Sequence, residues 1–445
     1  MRPALRSLAL PQACLGLLMA ALTQGAAPMA LADPVSSPVV TSTYLIPLQT
    51  FAYTNAPGSL HYKYGINLAL GGSTSPAIFE FDTGGDGFFA AFGNSASWWG
   101  ADYSPAGNNF SKGFDSGYTY DGITLTTSIS FFGLGSNPGS PIFTTPSSYT
   151  VGATNTIKLA GTDTWTAAGG SGSPPVDQNF FGDFGLTLKR GGEGIQNLLA
   201  QLTYGGDASA GYKVVLGPYG SSGGAYLQLG LQSTDLSNSA TTWFPMQGAD
   251  PSKPFANSNL PSFSAELLTG DLQLNFGGNN NSLSNIGFNL DSGTPGVTLH
   301  YNDSDKSLLA PYSVLSNGDP VRLQNGVTIG LQVQPAGSAL AQTLLSFVAE
   351  DDYGLNQVLT RRRSDGDPTY VNTGASLFQS YAVTYDLANQ RVGLTPYPVP
   401  APSPLAAGLL GGALGLRLRN LRRRIRAGGS PRSAQAGGIR ATAAR

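Results

Sequence analysis

Short segments in which apolar and polar residues alternate run through most of the chain. Over residues 64–70 every second side chain is large and apolar, which is the pattern of a half-buried β-strand. After a turn rich in Gly, Ser and Pro, a second strand over 78–82 ends in Asp82-Thr83-Gly84-Gly85. The glycines allow a sharp change of chain direction. The sequence therefore predicts a strand that delivers an aspartate to a tight turn.

The same order of features recurs 209 residues later. Over 286–290 the apolar residues again alternate with small or polar ones, and the segment ends in Asp291-Ser292-Gly293-Thr294. This distance is too long for a solenoid repeat and suits a duplicated lobe. The segment 232–240 is polar and turn-prone, so we expect one lobe over 44–235 and a second over 236–397.

Other segments support a chain made mainly of strands. Residues 381–394 have the pattern of a closing hairpin with alternating aromatic residues, and 214–231 have that of an earlier hairpin. The spacing of Ile195, Leu198, Leu199 and Leu202 predicts one helix. With 59 Gly, 30 Pro and 11% charged residues, the composition is typical of many short strands joined by turns.

The charge of the chain is strongly asymmetric. All 26 acidic residues lie between positions 33 and 398, together with 13 basic residues, whereas 11 arginines lie outside that span. The middle of the chain therefore has a net charge of about −13, which argues against nucleic acid or an anionic membrane as a partner.

The N-terminal 32 residues are predicted to be a signal peptide. Arg2 and Arg6 precede a Leu/Ala-rich run that ends in Ala30-Leu31-Ala32, the small-residue pattern of a cleavage site. Cleavage would leave Asp33 as the first residue and remove Cys14, the only cysteine. We expect an exported protein without disulfide bonds, which an ordinary hydrophobic core must stabilise.

Three features follow one another in the C-terminal segment over 399–426: Val399-Pro400-Ala401-Pro402, an apolar run over 405–416 and an arginine cluster over 417–426. This order resembles a PEP-CTERM sorting signal. The run is too short to span a bilayer, which takes about 20 apolar residues. The resemblance implies an exosortase-type processing enzyme as a partner and a cell-surface or extracellular location. Ala401 replaces the usual Glu, and a basic tail over 427–445, predicted to be disordered, follows. A basic amphipathic tail on a membrane surface is the alternative.

Two aspartates on tight glycine turns are the groups that an acid protease needs. Two carboxyl groups at close range cannot both ionise, so they share one proton and activate a water molecule between them. One carboxylate then accepts the proton of the water, and the protonated partner donates to the scissile carbonyl. Asp82 and Asp291 are the candidates. Either turn alone is weak evidence, but two after alternating strands carry more weight.

Phe81-Asp82-Thr83-Gly84 and Leu290-Asp291-Ser292-Gly293-Thr294 resemble the two active-site motifs of the pepsin-like aspartic proteases, and the resemblance extends over about 44–396. It implies an all-β, two-lobed fold with an interlobe cleft, a polypeptide substrate, no cofactor, no metal and a monomer. The closing hairpin is the most specific match. The resemblance also implies that Thr83 and Ser292 brace the two turns through their hydroxyl groups, with Gly84, Gly293 and Thr294 as supporting residues.

The chain departs from this family at several positions. Gly85 stands where the family has a Ser that donates to the first aspartate, and Asn372-Thr373-Gly374 replaces an apolar-apolar-Gly element. The residues predicted for the flap, a hairpin that covers the substrate, are Phe114, Tyr118 and Tyr120. A Lys/Arg-rich inhibitory propeptide is not expected between 33 and 43.

Other functions stay open at this point. A catalytically silent relative could bind protein or polysaccharide in the cleft, and a surface or matrix structural protein would fit the tail and the Gly/Ser/Asn-rich loops. Gly220-Ser221-Ser222-Gly223-Gly224 fits a hydrolase nucleophile pattern but lies in a predicted hairpin turn. With only His61 and His300, a metal site or a Ser/His triad has little support.

Overall fold

The structure is a computed structural model that describes residues 39–55, 59–93, 97–133, 140–168, 173–191, 193–218, 224–350, 356–363 and 367–397. The predicted signal peptide, the sorting segment, the basic tail and Ser221 lie outside the described residues. The chain divides into two units, Met1–Thr395 and Pro396–Arg445, and of the second only Pro396 and Tyr397 are described.

Strands make up most of the described chain. The first fifteen are β1 Val39–Val40, β2 Tyr44–Asn55, β3 Ser59–Leu70, β4 Ala77–Asp82, β5 Phe88–Ala91, β6 Tyr103–Gly113, β7 Tyr118–Thr127, β8 Ile129–Phe131, β9 Phe143–Thr144, β10 Tyr149–Leu159, β11 Thr162–Thr166, β12 Gly182–Gly185, β13 Thr203–Tyr204, β14 Ser209–Val215 and β15 Tyr226–Leu231. They are followed by β16 Thr242–Pro245, β17 Leu268–Phe276, β18 Asn279–Asn289, β19 Val297–Tyr301, β20 Ser313–Ser316, β21 Asp319–Leu323, β22 Thr328–Val333, β23 Gln342–Val348, β24 Val358–Arg362, β25 Tyr370–Asn372, β26 Tyr381–Asp386 and β27 Arg391–Pro396. The helices are short: α1 Leu198–Gln201, α2 Ser233–Leu236, α3 Lys306–Leu309, α4 Gly374–Ser380 and a 3₁₀ helix at Ala310–Tyr312.

Two large sheets organise these strands, beside a small pair formed by β1 and β13. The first has 16 strands, whose main path is β16-β27-β26-β14-β15-β2-β3-β4-β12-β5-β10-β7-β6. The second has nine strands in the order β20-β21-β24-β19-β25-β18-β17-β22-β23. Strands β26 and β27 come last in the sequence but join the first sheet next to β14. The two lobes therefore share a sheet made from both halves of the chain.

The strands around the two aspartates repeat the same pairing. In the first lobe β12 pairs parallel to β4 and antiparallel to β5, and β5 pairs parallel to β10. In the second lobe β25 pairs parallel to β18 and antiparallel to β19, and β19 pairs parallel to β24. The predicted duplication thus extends to topology. The all-β, two-lobed fold with an interlobe cleft is confirmed.

Aromatic packing supports the first aspartate turn. Phe79, Phe81, Phe88 and Phe184 have at most 1% of their surface exposed. Phe88 packs edge-on against Phe79 and Phe184, with ring centroids 4.9 and 5.2 Å apart. Rings of this size bury much apolar surface and pack in specific geometries. The turn that carries Asp82 therefore projects from a rigid base.

The predicted helix is shorter than its spacing indicates. Only Leu198–Gln201 is helical, because Asn197 caps the helix by accepting the N–H groups of Leu199 and Ala200, and the extended β13 begins at Thr203. The apolar residues of the pattern are all buried, as a core-facing segment requires.

Candidate active site

Asp82 and Asp291 lie opposite each other, one at the end of β4 and the other two residues beyond β18. The glycines of the two turns show how closely they approach. A Cβ atom on Gly84 would lie 2.5 Å from Asp291 Cγ, and one on Gly293 would lie 2.4 Å from Asp82 Cγ. Each carboxyl group therefore packs against the backbone of the other turn. Only glycine permits this approach, since a Cβ atom would occupy the space of the carboxyl group.

The turns are locked together by a reciprocal set of hydrogen bonds. Thr83 Oγ1 donates to the Leu290 carbonyl (2.7 Å) and accepts the Ser292 N–H (2.9 Å). Ser292 Oγ donates to the Phe81 carbonyl (3.0 Å) and accepts the Thr83 N–H (3.1 Å). Both hydroxyl groups are buried, so each bond satisfies a backbone group that water cannot reach. This arrangement fixes the separation of the two aspartates.

The two carboxyl groups receive very different numbers of donors. Asp291 Oδ1 accepts the N–H groups of Gly293 (2.8 Å) and Thr294 (3.0 Å), and Oδ2 accepts the Thr294 hydroxyl (2.8 Å) and the Asn372 side-chain amide. Asp82 Oδ1 accepts the N–H of Gly84 at 2.7 Å. Gly85 has no hydroxyl group to offer at the position where the second turn has Thr294. The site is therefore asymmetric although its backbone is duplicated.

The environment of Asp82 favours its neutral form. Burial, then the charge of Asp291, then that of Asp183, raise the pKa of Asp82 well above its ordinary value. A hydrogen bond with Asp291 acts in the same direction. Like charges in a poorly solvated site repel strongly, which disfavours ionisation of Asp82 beside the other carboxyl groups.

A cleft of about 630 Å³ opens above the pair and is lined by residues of both lobes. Its cover on the first-lobe side is the hairpin of β6 and β7, whose turn is closed by the hydrogen bonds Phe114 N–H to Tyr118 carbonyl and Gly117 N–H to Phe114 carbonyl. This is the segment predicted as the flap. Phe114 lies at the turn and packs on Tyr120, with ring centroids 4.7 Å apart, whereas Tyr118 and Tyr120 are buried.

The hairpin tip reaches the second lobe. Arg361 donates to the Asp115 carbonyl at 3.0 Å and lies 3.6 Å from its carboxylate. His300, which stacks on Tyr370 with centroids 4.3 Å apart, is 3.9 Å from the same carboxylate. Burial lowers the pKa of His300 to about 4, so this contact is made by a neutral imidazole at neutral pH. The hairpin thus lies closed across the cleft.

Several polar residues of the cleft were not identified as site residues from the sequence. Lys63 is buried and pairs with Glu80 (2.6 Å) and Asp177 (2.7 Å). Asp177 also contacts the Tyr118 hydroxyl at 3.3 Å. Isolated charges in alternating strands carry no sequence signal for this pairing, because the partners lie on β3, β4 and a distant turn.

Asp183 and Asn372 are two further polar residues beside the aspartates. Asn372 lies in the segment Asn372-Thr373-Gly374, which departs from the family resemblance, and Asp183 lies in β12. The available signal was a polar residue where an apolar one was expected.

No group of three or more His, Cys, Asp and Glu residues within the described ranges is arranged to hold a metal ion. The search for membrane spans was also limited to these ranges, and it finds no helix with the length and hydropathy to cross a bilayer.

Comparison with known proteins gives one kind of match. No family model matches the chain, and no match was found among curated proteins. Among solved structures, the chain is similar to an aspartic proteinase from Irpex lacteus, with 14% sequence identity over 80% of this chain and 97% of that chain and a TM-score of 0.49.

Proposed function

We propose that this protein is an aspartic endopeptidase in which Asp82 and Asp291 activate a water molecule. The observation that carries the proposal is the mutual packing of each carboxyl group on the glycine of the other turn, at 2.4–2.5 Å from a Cβ position. A binding module has no reason to hold two carboxyl groups together at this cost, because two desolvated like charges destabilise the folded state.

The surroundings suggest a role for each carboxyl group. Two observations support assigning the proton of the pair to Asp82 and the charge to Asp291: burial and the neighbouring carboxyl groups raise the pKa of Asp82, and four donors surround the Asp291 carboxyl group. Asp291 would accept a proton from the water molecule as the water oxygen attacks the carbonyl carbon of the peptide bond. Asp82 would donate its proton to the carbonyl oxygen. Collapse of the tetrahedral intermediate then breaks the C–N bond and returns a proton to the leaving amine. The proton and the negative charge belong to one coupled pair.

The cleft suits an extended polypeptide. It runs between the lobes and beneath the closed hairpin of β6 and β7, so a substrate enters only when the contact of Asp115 with Arg361 opens. Closure over the substrate would exclude water and strengthen the electrostatic interactions of the pair.

The decisive experiment measures peptides released from a denatured protein across a pH series, with and without pepstatin, the inhibitor that the family resemblance suggests. We expect pepstatin-sensitive cleavage in the acidic range. Absence of cleavage at every pH by folded, purified protein would reject the enzyme and favour the catalytically silent alternative. Cleavage that resists pepstatin and persists in Asp82→Asn would indicate a contaminating protease.

We also propose that the protein is exported and that its C-terminal segment directs it to a processing enzyme at the membrane. The proposal rests on the sequence pattern of residues 1–32 and 399–426. Intact-mass measurement of the protein from its own cells should show a chain that lacks both segments. A mass that includes the arginine cluster would instead favour a tail lying on the membrane surface.

A further inference from the structure

Asp183 is a buried carboxyl group with an unusual position. It lies in β12, has 3% of its surface exposed and lines the cleft beside the two aspartates. Neither of its carboxylate oxygens has a hydrogen-bond partner among the described residues. An ionised carboxylate in such a place would lack both solvation and a counter-charge in contact, which is very costly. Burial without partners therefore favours the protonated form of Asp183.

The duplicated topology provides a counterpart for Asp183. In the first lobe Asp183 lies opposite Glu80, two residues before Asp82. In the second lobe Asn372 lies opposite Asn289, two residues before Asp291. Asn372 donates its amide to Asp291 Oδ2 and accepts the Gly374 N–H at 2.9 Å, which fixes the orientation of the amide. Asp183 therefore occupies the position from which its counterpart donates to a catalytic aspartate.

Gly85 leaves the space that this interaction needs. A Cβ atom at position 85 would lie 2.6 Å from Asp183 Oδ2 and 3.0 Å from Asp82 Oδ2. Asp183 Oδ2 and Asp82 Oδ2 both lie close to this one point, so the distance between them cannot exceed the sum of 2.6 and 3.0 Å. The next nearest atom to this point is the backbone Gly185 Cα at 3.1 Å, the chain neighbours of Gly85 aside. A turn of the Asp183 carboxyl group into this space brings its hydroxyl group towards Asp82.

We propose that Asp183 is a third carboxyl group of the active site, which keeps its own proton and acts on Asp82 as a hydrogen-bond donor, as Asn372 acts on Asp291. It is a positioning residue that acts through Asp82, and the inference rests on the proposed protease function. In this arrangement the three carboxyl groups carry two protons and one negative charge. A donor on each side then stabilises the singly ionised pair.

The groups that face Asp183 support a neutral carboxyl. They come from β3, β4, β7 and the two aspartate turns: Lys63, Glu80, Asp82, Asp86, Tyr120 and Asp291. Burial raises the pKa of Asp183 well above its ordinary value, and Glu80 raises it further, whereas Lys63 lowers it. Lys63 is already paired with Glu80 and Asp177, and Lys112 is paired with Asp86.

Two substitutions at position 183 distinguish the loss of a hydrogen-bond donor from the loss of an ionisable group. Asp183→Asn keeps a donor but cannot ionise, and Asp183→Leu removes both properties. The measurement is the pH dependence of kcat/KM for wild type and both variants, with Asp121→Asn as a control. Asp121 lies in β7, pairs with Lys158 and does not line the cleft, so the same chemical change there should leave the profile unchanged.

The two variants should differ at the acid limb of the profile, where the singly ionised pair gains a proton. Asp183→Asn should leave this limb in place because a donor remains. Asp183→Leu should move it to higher pH by about one unit, since loss of a donor to a carboxylate raises its pKa. If Asp183 is ionised in the active enzyme, both variants remove a negative charge and both limbs move to lower pH. That result, or profiles that do not move in either variant, overturns the proposal.

Infrared difference spectroscopy tests the proton without using activity. Wild type at mildly acidic pH should show carbonyl stretches of two protonated, buried carboxyl groups, one in the catalytic pair and one at Asp183. The Asp183 band should be lost in Asp183→Asn and Asp183→Leu but kept in Asp121→Asn, and the band of the pair should remain in all three variants. An unchanged band in the Asp183 variants would reject the protonated state. If the wild type has no proteolytic activity, the proposed function fails, and the band still decides the state of Asp183.

Discussion

Asp82→Asn and Asp291→Asn should both abolish proteolysis but should have opposite effects on stability. Each substitution removes one half of a unit that needs both a proton and a charge. The kcat of each variant should fall by at least about 10²–10⁴-fold, the range of general acid–base catalysis, and the double variant should be little worse.

The predicted difference in stability follows from the donors. In Asp291→Asn the side-chain oxygen must stay where Oδ1 accepts two backbone N–H groups, so the new amide faces the amide of Asn372. Asn372 cannot turn without losing the Gly374 N–H. A buried donor then has no acceptor, which costs about 1–3 kcal/mol. In Asp82→Asn the oxygen keeps the Gly84 N–H. The new amide lies beside Asp183 and Asp291, and an oxygen of Asp183 can accept from it when the Asp183 proton is on the other oxygen.

The effect of Asp82→Asn should also depend on pH. The pKa of Asp82 is raised in the folded protein, so its contribution to stability is complete below its ordinary pKa and is lost as pH rises through the folded value. Asparagine does not titrate. The variant should therefore gain stability relative to wild type at pH 7, and this gain should shrink towards acidic pH.

Urea unfolding followed by tryptophan fluorescence measures both effects, and cleavage of a denatured protein measures activity. If Asp291→Asn is as stable as wild type while Asp82→Asn is less stable at pH 7, the assignment of charge and proton within the pair is wrong. Substantial activity in either purified variant would reject the pair itself.

Three further substitutions test the surrounding structure. Thr83→Val leaves two buried backbone groups without a partner, so it should lower the free energy of unfolding by about 2–4 kcal/mol and reduce kcat. Thr83→Ser should retain most of the stability and most of the activity, as measured by urea unfolding midpoints and kcat. Lys63→Met should cost about 3–5 kcal/mol because Glu80 is left buried and unpaired, and adding Glu80→Gln should restore much of the loss in the same unfolding assay. Gly293→Ala should lower kcat by about 10²-fold because its Cβ atom would displace the Asp82 carboxyl group. The protein should stay folded, which a circular dichroism spectrum like that of wild type would show.

The fold could be predicted because its strongest signals are local. Alternation over 64–70 and 286–290, and the glycine turn after each strand, depend on neighbouring residues alone. The buried pattern of β18 and the hairpins of β14 with β15 and of β26 with β27 match those expectations. The short α1 helix does not, because capping by Asn197 and the start of β13 limit it to one turn. Periodicity reports which residues are buried better than it reports where a helix ends.

The candidate site could be predicted only in its backbone frame. Asp82 and Asp291 are visible because each lies in a recognisable turn. Asp183, Asn372 and Lys63 are not, since each acts on a partner that is distant in sequence and that only the sheet pairing brings close. For Asp183 and Asn372, a polar residue at a position expected to be apolar was the one signal available, and by itself it does not identify the partner.

The structure gives a different explanation of Gly85 from the one that the sequence suggests. From the sequence, a glycine in place of a donor leaves Asp82 poorly supported, and Gly85→Ser should restore the missing hydroxyl group. In the structure the space for that side chain is taken, because a Cβ atom would lie 2.6 Å from Asp183 Oδ2. Serine at position 85 and aspartate at position 183 are therefore alternatives for the same space. Gly85→Ser alone would displace the Asp183 carboxyl group as well as add a hydroxyl donor. The double variant Gly85→Ser, Asp183→Ala would add the hydroxyl group without that clash. The glycine and the third carboxyl group thus belong to one arrangement, in which the side-chain donor to Asp82 comes from β12, while the turn supplies the N–H of Gly84.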